Sequence, residues 1–414
     1  MRHFYLLSLK KAAALACLFW ACQTTAKPWV VHEWGTFTSL QDSSGKQQLG
    51  LYQEEEALPN FVNGRCRLSQ SYSDAHGMRQ KCTDFTPLSD TSLGVNQKME
   101  TPVLYFYSDQ TRDVAVTVEF PQGIISQWYP DPFVFSPQLR IVHPAPLSSS
   151  VTWKLKVLSE PKALPQPETQ FSQIWLPSRE VAANVIQSKD QNEKFIFYRG
   201  LGRFSVGIKI TSSIEGNFAI ENTSSQELPA IFVLKATGDG KGTLLSLGSL
   251  GPQSKLKFQE QMLTKDKLLN LKEDLKTFHQ ALKQAGLYED EAIAMLKTWE
   301  QSYFQKAGLR VLYVLPRAWT DKLLPINIDP QPDQLERVMV GRIEIMSAKE
   351  EELLLAEFNT RAEIPDAAIL SEATLSSLGI LQEPKLRRLY ELLPATGKTR
   401  LKDYLHNHFG PGIN

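Results

Sequence analysis

The sequence predicts an α+β protein: an antiparallel, β-sandwich-like N-terminal region, then a mixed, helix-rich C-terminal region. Three observations carry this. Short β-branched and aromatic runs, separated by Gly, Pro, Asn and Ser, fill residues 28–260 with no long helix between them. A helical period takes over near Thr264. Strand runs return between Leu309 and Met346, ahead of a helical end.

Taken in order, residues 30–37 (VVHEWGTF) read as the first strand. Residues 101–107 (TPVLYFY) are continuously apolar, the pattern of a buried strand. Glu100 immediately precedes it. Val114, Val116, Val118 and Phe120 alternate onto one face and end at Pro121-Gln122-Gly123. Residues 124–129, 151–158, 194–198, 204–210, 217–221, 230–234 and 244–247 supply shorter strands. Residues 63–97 are polar, hold Cys66 and Cys82, and read as a long disulfide-tied excursion from the sheet. Residues 161–170 are Pro-rich and cross the surface.

Leu268, Leu271, Leu275, Phe278 and Leu282 step by threes and fours, which is one helical face. Gly286 stops it. A second helix over 289–304 buries Ala292, Met295 and Trp299 and completes a hairpin. Residues 309–315 (LRVLYVL) and 337–346 (RVMVGRIEIM) are strands. In the latter, Val338 and Val340 change phase with Ile343 and Ile345 at Gly341-Arg342, as a bulge would make them do. Ser347 and Glu350 form a capping box for a helix over 348–361. Residues 371–409 are helical. The expected division is 1–26, 27–260 and 261–414.

Residues 1–26 read as a secretory signal. Arg2, Lys10 and Lys11 supply a basic start, and 12–22 is an apolar run too short to span a bilayer. Thr24-Thr25-Ala26 offers a cleavage site. Lipid attachment at Cys22 is the alternative, although Trp20 fits a lipobox badly. The whole chain has 414 residues, with 45 basic and 45 acidic ones. Removing the signal leaves 42 against 45, a net charge of −3. That balance excludes nucleic acid as a partner, because phosphate binding needs a basic excess. It also leaves Cys66 and Cys82 as an even pair, expected to be oxidised in a periplasmic or extracellular protein.

Several segments carry a resemblance. VHEWGTF at 31–37, KMETPVLYFYS at 98–108, KFIFYRGLG at 194–202, LPRAWTDKLLP at 315–325 and RVMVGRIE at 337–344 resemble a group of exported bacterial proteins with no assigned activity. The resemblance implies bacterial origin, export and one integrated unit. It implies no catalytic residues.

The candidate site residues rest on their own chemistry. His32 and Glu33 are strand neighbours and point to opposite faces, so they cannot easily grip one metal. Glu100, His76 or His143 would have to complete such a site. Glu33 and Glu100 form the best carboxylate pair for acid–base work, which in glycosidases needs a separation of about 5–9 Å. The alternative is that each pairs with an Arg or Lys. Trp34, Trp128 and Tyr129 are large rings that stack on sugars or peptides if a sheet face exposes them. Burial in the core is the competing fate. Arg199 and Arg317 each follow an apolar strand and could hold an anion, with a structural ion pair as the favoured alternative. Glu54-Glu55-Glu56 reads as a solvated acidic turn. There is no Gly-x-Ser-x-Gly elbow, Walker A loop or dinucleotide fingerprint. No cofactor is expected, with metal left open. The leading function is non-catalytic binding of a glycan, peptide or envelope partner. The alternative is a hydrolase using metal or Glu33 and Glu100, and a third class is an assembly protein pairing through strand edges.

Overall fold

The structure, a computed structural model, describes residues 28–64, 68–74, 77–84, 94–136, 148–263, 273–364 and 366–410, with backbone alone in 68–74 and 77–84. The signal segment with Cys22, the Cys66–Cys82 pair, His76, His143, Leu268 and Leu271 therefore lie outside the described residues or side chains.

A nine-stranded sheet forms the centre. Its order is β16 (Gly242–Leu250), β15 (Leu228–Ala236), β18 (Gly308–Val314), β20 (Gln334–Ile345), β1 (Val30–Gln41), β5 (Gln97–Tyr107), β12 (Ile196–Gly202), β7 (Gly123–Tyr129) and β2 (Asn63–Gly64). A six-stranded sheet runs β11 (Gln191–Glu193), β10 (Val185–Ser188), β9 (Ser149–Leu158), β6 (Arg112–Phe120) and β19 (Ile326–Asp329), with β8 (Val134–Ser136) also on β9. Strands β13 (Ile208–Ser212), β14 (Asn217–Asn222) and β17 (Lys255–Gln259) make a third sheet. The helices are α1 (Ser172–Arg179), α2 (Lys276–Gln284), α3 (Glu289–Thr298), α4 (Arg317–Leu323), α5 (Ala348–Ala362), α6 (Glu372–Leu378), α7 (Gln382–Leu392) and α8 (Ala395–Phe409). The content is α+β, as the periodicities predict.

Two features depart from the expectation. The central sheet draws strands from both sides of residue 260. It is also mixed, because β1 and β20 run parallel. All twelve residues of β1 are buried. A strand covered on both faces suits the interior of a mixed sheet rather than a half-solvated antiparallel one.

One face of the large sheet shares an apolar core with the smaller sheets, including Phe106, Val116, Trp153 and Phe218. The opposite face packs on α1, α2 and α3 through Trp34, Phe197, Trp175, Phe278 and Met295. A third core joins Leu40 and Met346 to α5–α8. The four strand segments of the family resemblance are β20, β1, β5 and β12, consecutive and interior in the sheet.

Most strand expectations meet a strand, with shifted ends. In β6, Val114, Val116, Val118 and Phe120 are buried as their alternation predicts. The strand expected at 204–210 starts only at Ile208. The excursion over 63–97 contains β2 and a hairpin of β3 (Leu68–Asp74) and β4 (Gly77–Asp84). Leu275, Phe278 and Leu282 are buried on α2. The second hairpin helix is α-helical to Thr298 and π-helical over Glu300–Gln305. Ser347 caps α5, its Oγ accepting from the Glu350 N–H at 3.2 Å.

The expected bulge at Gly341 is absent, since β20 keeps continuous register with β1 and β18. The phase change has another cause. Met339, Ile343 and Ile345 belong to the inter-sheet core, while Val338 and Val340 face the helices. Both faces are buried, so apolar residues need not alternate. A bulge lies in β5 instead, where the register shifts between Trp34 and Thr36. Thr101 has φ 50° there. A Cβ on Gly35 would lie 2.8 Å from the Pro102 Cα, so only glycine admits this approach.

Candidate functional site

Alternation along β1 sends His32 and Glu33 to opposite faces. His32 is fully buried, and its Nδ1 lies 2.8 Å from Glu291 Oε2. Glu291 also accepts from the Tyr107 hydroxyl at 2.7 Å and from the Tyr288 N–H at 2.7 Å, which fixes the start of α3. Among the described residues, no group of three or more His, Cys, Asp or Glu could hold a metal ion.

Glu33 enters the inter-sheet core. Its Oε2 lies 2.5 Å from Arg337 Nε, and its Oε1 accepts from the Tyr198 hydroxyl. Glu100 sits inside β5, not before it, and pairs in register with Thr36. It projects to the helix face, where Lys98 Nζ is 3.0 Å from Oε1. The Tyr303 hydroxyl (2.8 Å) and Thr38 Oγ1 (2.9 Å) both donate to its Oε2. The strands are neighbours, yet the carboxylates occupy opposite faces and separate networks. Glu33 is thus held beside Arg337 and Glu100 beside Lys98, so the structure does not bring the two carboxyls into one site.

The large rings are buried rather than displayed on a sheet face. Trp34, Trp128 and Tyr129 are at most 3% exposed. Trp34 meets Trp299 edge-on, Trp128 stacks on Phe135, and Tyr129 packs against Phe61 and Trp175. Core packing takes nearly all the area of these rings.

Arg199 leads to the arrangement that sequence reading missed. Its NH1 is 2.9 Å from Glu54, which also lies 3.1 Å from Lys98. Glu55 accepts from Arg342 at 2.9 Å and from Lys306 at 2.9 Å. Glu344 lies between Arg342 (2.6 Å) and Arg310 (2.9 Å). The Arg342 guanidinium stands 4.3 Å from the Tyr303 ring centre. The 54–56 turn is thus not a free solvated turn, because Glu55 is only 6% exposed at its side chain. It supplies counter-charge for cations that β5, β12 and β20 carry into the interior. The signal was present in the sequence: a charge inside an apolar strand must find a partner. Arg310, Arg342 and Glu344 all interrupt such runs.

This band walls two cavities. The smaller, about 30 Å³, is lined by Glu56, Glu100, Arg199, Trp175, Trp299 and Tyr303. The larger, about 320 Å³, lies between the ends of β15, β18 and β20 and the helices α5–α7. Lys306, Arg310, Arg342 and Glu344 form its inner wall, and Leu378, Ile380 and Leu381 its apolar side.

The electrostatics give a pH prediction. Burial alone would raise the Glu100 carboxyl, but the Lys98 ammonium and Arg342 guanidinium outweigh it and hold it well below the usual range. Glu344 is held low by Arg310 and Arg342, again against burial. Carboxylates depressed in the native state stabilise it fully above their unfolded pKa, about 4.3. They lose that contribution as pH falls through the native value. Glu56 acts oppositely, since burial and Glu55 raise it. The thermal midpoint is expected to fall steeply below about pH 4. Glu100→Gln should start lower at pH 7 and flatten that acid limb. An equally steep limb in the variant would remove Glu100 from the account.

Comparisons with known proteins add little. No family model matches the chain, and no curated protein matches it. A peptide-bound Fcho1 Mu homology domain from Danio rerio covers 77% of this chain and 98% of its own, at 8% identity and TM-score 0.28. The yeast delta-COP-I mu-homology domain, complexed with a WxWxV peptide, covers the same shares at 7% identity and TM-score 0.27. Likeness at this level assigns neither fold nor ligand. Among the described residues no helix is long and apolar enough to cross a membrane.

Proposed function

We propose that this chain is an exported, non-catalytic binding protein, built on a sandwich-like core, that holds a glycan, peptide or envelope component. One observation carries the reading. The larger cavity reaches the size of small-ligand sites, and the charged groups around it are engaged in ion pairs. Binding needs such a preformed wall, whereas acid–base catalysis needs a carboxyl free to move a proton. Glu33 and Glu100 are both held by cations. Export and a Cys66–Cys82 bond belong to the same proposal. Intact mass of periplasmic protein should show a start at Lys27 without acyl chains, short by two hydrogens.

The functional test uses glycan and peptide arrays with purified cell-wall material. The protein should retain a ligand and return it uncleaved. Ser377 is exposed and lines the cavity. Ser377→Trp fills that space and should weaken retention by about tenfold or more, the loss of roughly 1.4 kcal/mol of contact. Cleavage of the ligand by pure protein would establish the hydrolase alternative, with chelator sensitivity marking a metal-dependent one.

A further inference from the structure

We infer that the smaller cavity binds an ammonium group at the end of an alkyl chain, with Glu56 as its counter-ion. This goes beyond the larger cavity and stands on different residues.

Pairing within the charged band leaves Glu56 out. Arg199 and Lys98 hold Glu54, Lys306 and Arg342 hold Glu55, and Lys98 holds Glu100, which also lies 4.0 Å from Arg342. Glu344 serves Arg310 and Arg342. Every cation of the band thus has a carboxylate, and each of these carboxylates has a cation. Glu56, only partly exposed, makes no ion pair or hydrogen bond among the described residues. It lines the cavity beside Glu55 and Glu100. Burial and then the Glu55 charge raise its carboxyl, against the pull of Arg199. A carboxylate held out of water without a partner is costly, and a cationic ligand supplies the partner.

The rest of the wall suits an ammonium and excludes larger bodies. Trp175, Trp299 and Phe197 line it, and aromatic rings attract a cation within about 6 Å of their centres. The Thr298 hydroxyl, on a residue 5% exposed, belongs to the same wall and has no hydrogen-bond partner. Arg199 lines the cavity too, but its charge is taken: Glu54 lies 2.9 Å from NH1, and the Phe197 ring centre is 5.7 Å from the guanidinium. The volume of about 30 Å³ is that of two water-sized spheres of roughly 10–15 Å³ each, enough for an ammonium and its first carbons but not for a sugar ring. Leu58 and Ile174 are half-buried lining residues and offer the chain an apolar exit. The backbone of this wall is irregular at two places. Thr101 holds φ 50°, which β-branched residues rarely adopt, and Tyr303 stands in the π-helical turn Glu300–Gln305. Both kinds of irregularity gather at functional sites.

Titration calorimetry at low salt tests this with three probes of similar size: n-butylammonium, n-butanol and butyrate. Butylammonium should bind, and the other two should bind at least about tenfold more weakly, the value of one charge-assisted hydrogen bond. Glu56→Gln should weaken butylammonium by about tenfold, and Glu56→Asp should keep part of the affinity. Both variants should keep the wild-type thermal midpoint within a few degrees, because Glu56 holds no partner in the fold. Glu352→Gln, exposed on α5, serves as control. Cadaverine and Nα-acetyl-lysine methylamide separate the two sources of such a group. Tighter cadaverine identifies a free amine, and a tighter lysine derivative identifies a lysine side chain. Butanol or butyrate binding as tightly as butylammonium overturns the inference, as does an unchanged Glu56→Gln. Silence from butylammonium also overturns it. None of these results bears on the Ser377→Trp retention assay, which tests the larger cavity.

Discussion

Arg337→Met is expected to lose about 3–5 kcal/mol of stability, the cost of leaving a buried charge without its partner. The Glu33 and Arg337 side chains are both fully buried. Arg337 also reaches Asp321 of α4 at 2.9 Å, so one guanidinium ties β1, β20 and the helix together. Once it is removed, Glu33 keeps only the Tyr198 hydroxyl among the contacts described above. Urea denaturation should show the loss as a lower midpoint at a similar slope. The double variant Glu33→Gln with Arg337→Met should recover much of it, because a neutral amide no longer needs a cation. A single-variant loss under about 1 kcal/mol would mean that Glu33 is not charged in the folded protein.

Gly341→Ala should be comparably severe. The added Cβ would sit 2.0 Å from two ring carbons of Tyr313, which is 1% exposed and opposite it in register. No contact at that distance survives, so the ring must leave a packed core. Overpacking of this kind costs about 1–3 kcal/mol and sometimes more. Two further variants separate the causes. Tyr313→Phe should not rescue Gly341→Ala, since ring carbons make the clash. Tyr313→Leu should rescue part of it. Wild-type stability in Gly341→Ala, read from thermal unfolding, would refute the close packing of Tyr313 on β20.

These two sites also show what a linear reading reaches. The β1 segment, its apolar neighbours and the amphipathic face of α2 were legible, because local periodicity reports burial on one side. The phase change at Gly341 was legible as an anomaly but not as a cause. A strand covered on both faces loses the alternation on which the bulge argument relies. Glu33 and Glu100 looked like a pair because their strands were expected to be neighbours, which they are. Only the register and the bulge at Thr101-Pro102 show that Glu100 faces the helices with Thr36 while Glu33 faces the second sheet.

The aromatic residues failed as a binding surface for a related reason. Ring size alone does not say which side of a sheet is covered, and here a second layer covers each face. The charged band was missed because its members lie far apart in the chain. Glu55 meets Arg342 across 287 positions.

By itself, the sequence determined the α+β class, the placement of most strands and helices, and a near-neutral charge balance. Those properties are local or compositional, and they follow from propensity and periodicity. The tertiary structure alone decided that strands from both halves of the chain form one sheet. It also decided that the prominent carboxylates are spent on buried cations, and that the cavity opens beside Arg310 and Arg342. Such outcomes depend on which faces are covered and which distant charges meet, and sheet register and layer packing set both.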